Sequence, residues 1–232
     1  YHGQMKAVLA RDAPAVPVID LCADVPPHDA RAAAYLLAAM APPATPIYPA
    51  GTVFVCVVDP GVGGDRAALA LRADGCWYVA PDNGLLEIVR RRAAQARMWR
   101  ITWRPEWLSA SFHGRDLFAP VAAMLALGKP PPGEPLAGVP GVGGDWPDDL
   151  AQVIYLDRFG NAMTGLRAAT LAPEARLSAN GRSLERVRTF SDVPPGTAFW
   201  YENANGLAEI AVNSGRADSL LGLAVGTPVE VV

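Results

Sequence analysis

Thr52-Val53-Phe54-Val55-Cys56-Val57-Val58, followed without a break by Asp59-Pro60-Gly61-Val62-Gly63-Gly64-Asp65-Arg66, is the stretch on which the reading of this chain turns. A continuous apolar and β-branched run predicts a strand buried on both faces, since alternation would mark a strand with one wet face. Proline and glycine end the run. In open α/β sheets ligands bind beyond the carboxyl ends of strands, and glycines there let backbone approach a ligand closely. Asp59 stands at the strand exit and is therefore a candidate site residue, and Arg66 ends the constellation. The chain carries its own control: Pro140 to Asp145 repeats the hexapeptide Pro-Gly-Val-Gly-Gly-Asp with no strand before it and no arginine directly after it. The six residues alone read equally well as a plain glycine turn, so their setting carries the argument. They form neither a Walker loop nor a full dinucleotide fingerprint, because Gly-Lys-Ser/Thr and the third glycine are missing.

Working outward, Val16 to Cys22 reads as a strand and Ala30 to Met40 as an alanine-rich helix. Ala67 to Leu71 and Trp77 to Ala80 read as two short strands, Gly84 to Ala96 and Leu117 to Leu127 as helices. This alternation predicts an α/β N-terminal domain with a mostly parallel central sheet over residues 1–128. Residues 128–149 hold six prolines and six glycines, a density that predicts neither helix nor ladder, so 129–149 is expected to be a Pro/Gly-rich linker. Beyond it, Gln152 to Leu156, Arg186 to Phe190, Ala198 to Tyr201, Ala208 to Val212 and Pro228 to Val232 read as strands separated by Gly, Asn or Pro turns. A smaller antiparallel β domain over 150–232 is expected.

The bulk properties exclude several classes. With 51% apolar and 19% charged residues among 232, the chain is globular rather than disordered. A net charge of -3 gives no footprint for nucleic acid or anionic lipid. Arg90-Arg91-Arg92 reads as the solvated face of a helix. Cys22, Cys56 and Cys76 are too few and too scattered for a disulfide framework or a zinc site. The longest apolar stretch, Ala32 to Ala41, is too short to span a bilayer, and no signal peptide is visible, so a cytoplasmic protein without a metal is expected. The sequence opens at Tyr1 near a helical pattern, and a preceding segment is expected.

Four further motifs stand out. Ser111-Phe112-His113-Gly114-Arg115-Asp116 sets a histidine among polar neighbours just ahead of a helix. An imidazole there either accepts a proton from water or belongs to a helix cap in which Asp116 or Ser111 binds free amides. His2 and His28 have weaker settings, and His28 reads equally as a turn residue. Pro81-Asp82-Asn83-Gly84-Leu85-Leu86 reads as a turn capping a helix, with ligand contact as the second reading. Asp157-Arg158-Phe159-Gly160-Asn161 pairs an aromatic with an amide and a carboxylate, which suits a purine and equally suits a hairpin turn. Asn203-Ala204-Asn205-Gly206, followed by Glu209-Ile210-Ala211-Val212-Asn213, is a strong hairpin signal.

Taken in order, these motifs, together with Tyr1-His2-Gly3-Gln4-Met5-Lys6, Ile19-Asp20-Leu21 and Val25-Pro26-Pro27, resemble the S-adenosylmethionine hydroxide adenosyltransferase family, relatives of the fluorinase and chlorinase enzymes. The resemblance covers nearly the whole chain. It implies hydrolysis of S-adenosyl-L-methionine to adenosine and L-methionine by water or hydroxide at ribose C5′, with no cofactor. It implies a homotrimer with substrate sites at subunit interfaces. It assigns the attacking water to Asp59, Arg66 and His113, and the purine and ribose contacts to Asp157, Phe159, Asn161, Glu209 and the backbone near Ala204 and Val212. An aspartate-rich segment, one carboxylate of which contacts the ribose, is expected ahead of Tyr1. Two departures are visible: Ala204 stands where the family favours serine, and Thr164-Gly165 where it has threonine-asparagine. Two rival readings stay open, a halogenase forming 5′-chloroadenosine and a non-catalytic adenosine-binding or S-adenosylmethionine-binding module. Against the first stands Asp59, where halogenating relatives carry tyrosine: a carboxylate repels a halide.

Overall fold

The run after Gly51 does form a strand, but a short one. In the computed structural model, which describes residues 1–43, 46–138 and 141–232, β1 covers Val53–Val55. The chain divides into two compact units, Tyr1–Asp145 and Trp146–Val232.

In the first unit, β2 (Ala68–Ala73), β3 (Cys76–Pro81), β4 (Ala96–Ile101) and β5 (Gly133–Pro135) join β1 in one sheet of order β1-β3-β2-β4-β5. Only β1 and β3 pair in parallel; β3–β2, β2–β4 and β4–β5 are antiparallel. The expected mostly parallel sheet is thus corrected to a mixed one. The cause is local: Asp74 and Gly75 lie between Ala73 and Cys76 with φ of 45° and 92°, and positive φ at both turn residues suits a tight hairpin. The Asp74 carboxylate then accepts from the amides of Ala94 and Gln95 at 3.0 and 2.8 Å, which brings the start of β4 beside the hairpin.

Five helices complete the described regular structure, apart from short 3₁₀ and π turns. Four lie in this unit: α1 (His2–Asp12), α2 (Ala30–Met40), α3 (Glu87–Arg92) and α4 (Ala119–Ala126). Asp29 caps α2 by accepting from the Ala32 amide at 2.8 Å. Buried Tyr35 and Leu36 belong to the face of α2 that is lost to solvent. Val121, Ala122 and Leu125 of α4 pack on Ala70, Val79 and Ile101 of the sheet. The Arg90-Arg91-Arg92 run is less solvated than expected, since Arg90 and Arg91 both grip the buried Glu87 at 2.7 and 2.8 Å.

Three expectations fail here for physical reasons. Val16 to Cys22 forms no strand; Pro17 lacks a donor, and Ile19 is 85% exposed. The helix expected to reach Ala96 stops at Arg92, because the captured amides of Ala94 and Gln95 lead into β4. The Pro/Gly-rich segment contains β5, an edge strand in which Gly133 lies opposite Ile101; a Cβ at Gly133 would meet the Arg100 carbonyl oxygen at 2.0 Å, and prolines are tolerated at a sheet edge. Val139 and Pro140, the latter opening the repeated hexapeptide, lie outside the described residues.

The second unit is built of two antiparallel sheets. β6 (Leu150–Leu156), β7 (Ala162–Arg167), β10 (Ala198–Glu202) and β11 (Leu207–Val212) run in the order β10-β11-β7-β6. β8 (Leu177–Ala179), β9 (Arg182–Leu184) and β12 (Glu230–Val231) run as β12-β8-β9, and α5 (Ala217–Leu221) is the fifth helix. Trp200, Ile210 and Leu177 lie in the core, fully buried, and the Trp200 Nε1–H donates to the Ala175 carbonyl at 3.1 Å. The antiparallel character matches expectation. Arg186 to Phe190 does not: it makes a single bridge, Arg186 to Trp200, and passes into a 3₁₀ turn capped by Thr189.

Candidate active site

Asp59 and Arg66 bracket a loop that leaves the β1 end of the sheet and returns to β2. The Arg66 Nη1–H donates to Asp59 Oδ1. The Asp59 side chain is 7% exposed and that of Arg66 30%, so the carboxylate is fixed inside while the guanidinium keeps a face on solvent. Glycines make this geometry feasible. A Cβ on Gly61 would sit 2.7 Å from Arg66 Nη2, so the bare backbone leaves the guanidinium its place. Gly63 has φ +87°, and a Cβ there would lie 2.3 Å from the Ala110 carbonyl oxygen. The loop thereby rests on the segment that leads to His113. In the repeated hexapeptide, Gly143 takes the same φ of 87° as Gly63. That one backbone angle is common to both stretches, while only the first follows a strand and closes on an arginine.

His113 precedes a π-helical turn, Gly114–Phe118. It makes no side-chain cap bond there. The structural work falls to Asp116, whose carboxylate accepts from the Ser109 amide at 3.0 Å and from Arg115 at 2.5 and 2.9 Å. These bonds hold the Asp116 carboxyl below the usual carboxylate range, the Arg115 guanidinium contributing most. Arg115 also lies over the Phe112 ring, 4.8 Å from its centroid, and donates to Gln4 Oε1 at 3.0 Å. Asp59, Arg66 and His113 line one cavity of about 280 Å³ together with Arg104, Leu108 and Phe118. Arg104 was not singled out in the sequence; its Nη1 binds the carbonyls of Ile101 and Trp103.

The second unit has its own cavity, of about 630 Å³. Asp157, Phe159, Asn161, Ala204, Glu209 and Val212 all line it. Asp157 holds its turn by accepting from the amides of Phe159 and Asn161 at 2.8 and 2.9 Å and from Asn161 Nδ2 at 3.0 Å. The hairpin reading of this motif and its place in a cavity therefore both apply. Phe159 is 70% exposed, leaving its ring open to stacking. Glu209 is buried, and its two oxygens accept from Tyr201 Oη at 2.8 Å and Asn203 Nδ2 at 2.6 Å. Burial pushes its carboxyl up despite both bonds. Phe190 and Tyr201 line the same cavity and escaped sequence reasoning as site residues, and Asn203, also in its lining, was read only as part of a hairpin. Phe190 was placed in a strand, and the edge-on packing of its ring on Tyr201 at 5.3 Å is a tertiary fact without a local signal.

Residues 1–134 match the SAM hydroxide adenosyltransferase N-terminal domain and residues 151–230 the corresponding C-terminal domain. The chain belongs to the SAM hydroxide adenosyltransferase family. It is 42% identical to an (R)-S-adenosyl-L-methionine hydrolase of Thermus thermophilus over 250 residues, spanning 100% of this chain and 94% of the relative. It is 41% identical to an (R)-S-adenosyl-L-methionine hydrolase of Salinispora arenicola, over 97% of this chain and 89% of the relative. A crystal structure of a conserved protein from Thermotoga maritima superposes with a TM-score of 0.86 at 30% identity, covering 100% of this chain and 95% of that one.

Proposed function

We propose that the protein hydrolyses S-adenosyl-L-methionine to adenosine and L-methionine, by attack of water or hydroxide on the ribose C5′. The observation that carries the proposal is the shared cavity of Asp59, Arg66 and His113, three groups separated in sequence and chemically matched to one polarised water. The full-length likeness to (R)-S-adenosyl-L-methionine hydrolases supports the same reading.

The departing methionine is a neutral thioether, so the leaving group needs no proton and the reaction calls for no metal or cofactor. The work lies in orienting and polarising the nucleophile behind C5′. The Arg66 guanidinium favours the hydroxide-like state of the water. Asp59 fixes Arg66 and accepts a water hydrogen. His113 takes the proton and passes it to solvent. The products are adenosine with a new C5′–O bond, methionine carrying the electrons of the broken C5′–S bond, and one proton.

In this reading Phe159 stacks on the purine, Asp157 and Asn161 supply polar contacts to purine and ribose, and the backbone at Ala204 and Val212 meets the purine edge. Glu209 acts on the cavity through Tyr201 and Asn203. Catalytic groups fall in an α/β domain, 1–128, and purine recognition in a β domain, 150–232, joined by a linker over 129–149. We also propose a homotrimer with substrate sites at subunit interfaces, and action in the cytoplasm, which the three free cysteines support; no helix among the described residues is long and apolar enough to cross a membrane. The test is Arg66→Ala and His113→Ala, each assayed for adenosine release and, by calorimetry, for substrate binding. Loss of about 10²–10³ in turnover with binding retained is expected; full turnover in both variants overturns the assigned roles.

A further inference from the structure

The turn after β3, Pro81-Asp82-Asn83-Gly84, has so far only a structural role. Its bonds are placed unusually. Asn83 Nδ2 donates to the Val58 carbonyl at 2.7 Å, and Val58 is the residue immediately before Asp59. The Asp82 amide donates to the Ala67 carbonyl at 2.9 Å, and Ala67 is the residue immediately after Arg66. The two neighbouring residues therefore hold both ends of the loop whose first and last side chains form the Asp59–Arg66 pair. Inside that loop the backbone bonds are long: Val62 to Asp59 and Gly64 to Gly61, each 3.3 Å. Its ends are better held than its middle.

Asp82 adds a second feature. Its Oδ1 is buried without a hydrogen-bond partner, an arrangement that costs free energy and calls for an explanation. Burial pushes its carboxyl up, while the fields of Arg100 and Arg66 act the other way. The turn thus brings a second carboxylate into the field of Arg66 without a direct bond to it.

We infer that Asn83 is a positioning residue for hydrolysis: by holding Val58 it sets where the Asp59 carboxylate, and through it the Arg66 guanidinium, stands in the cavity. The inference rests on the catalytic reading of Asp59, Arg66 and His113. It separates from a plain turn-capping role because Asn83 has two functions at two atoms. Its Oδ1 accepts from the Leu85 amide at 3.3 Å, which is the turn. Its Nδ2 reaches Val58, which is the clamp.

Asn83→Asp keeps the acceptor and removes the donor, setting an oxygen against the Val58 carbonyl. The expected result is a kcat lower by about 10- to 10²-fold, as misplacement of a catalytic group costs, with KM for S-adenosyl-L-methionine little changed. The Asp59→Asn, Asn83→Asp double variant should be no slower than Asp59→Asn alone, since residues acting as one unit are not additive. Melting curves report folding, and Asn83→Ser, which keeps a turn-forming oxygen without the reach to Val58, carries the same test if Asn83→Asp unfolds. A parental kcat in Asn83→Asp beside a collapsed Asp59→Asn overturns the clamp alone. Losses that multiply in the double variant do the same. A parental rate in Asp59→Asn overturns the catalytic reading and the clamp with it.

Discussion

Arg66 holds its place because a neighbour has no side chain. Gly61→Ala puts a methyl 2.7 Å from Arg66 Nη2, the far end of a flexible side chain that can swing away at small cost to the fold. We expect a turnover lower by about tenfold with a melting temperature within a few degrees of the parent. Gly63→Ala is the opposite case. Its methyl would strike the Ala110 carbonyl from a φ of +87°, so a destabilisation of about 1–3 kcal/mol is expected. Paired melting and rate measurements separate the two, and equal melting losses would contradict the geometry. Arg66→Lys should not restore the rate lost in Arg66→Ala, because a lysine ammonium lacks the planar fork that a guanidinium offers a carboxylate and a water together.

Among the elements, the segment before α4 depends on charge. Asp116 has its carboxyl lowered by Arg115, with the Ser109 amide adding to the effect. A depressed folded value means its stabilisation is complete above the ordinary carboxylate range and is lost as pH falls through the lowered value. Asp116→Asn should cost about 1.5–3 kcal/mol at pH 7, and the gap to the parent should close below about pH 4. Urea melts at both pH values check this; a gap independent of pH contradicts it. Elements were legible where local chemistry decided them: the alanine-rich apolar run of α2, and the strands β10 and β11 around an Asn-Gly turn. The mixed sheet left a local signal in Asp74-Gly75 that the sequence reading did not use: the alternation of strands with helices alone led to the expectation of a parallel sheet. Val16 to Cys22 had a strand's composition and no partner to pair with, which only tertiary structure decides. β5 was hidden because proline density argues against a ladder everywhere except at an edge.

For the whole molecule, the candidate site was legible as single residues and not as a surface. The family resemblance singled out Arg66 and joined the set; Asp59 and His113 stood out through loop position and residue type beside a plain structural reading, and Asp157 to Asn161 as an aromatic flanked by polar groups that equally suited a hairpin turn. Phe190, Tyr201, Asn203 and Arg104 did not, since their meaning comes from packing across strands and loops distant in sequence. At this scale the proposed trimer is tested by sedimentation equilibrium: a mass three times that of the chain is expected, and a monomer at assay concentration with full activity contradicts interface sites. The central claim concerns which atom is attacked and by what. It is tested most directly by turnover of S-adenosyl-L-methionine in oxygen-18 water, with mass spectrometry of both products. The account predicts one heavy oxygen in adenosine, at the 5′-hydroxyl, and none in methionine; unlabelled adenosine, or label in an amino-acid product, contradicts it.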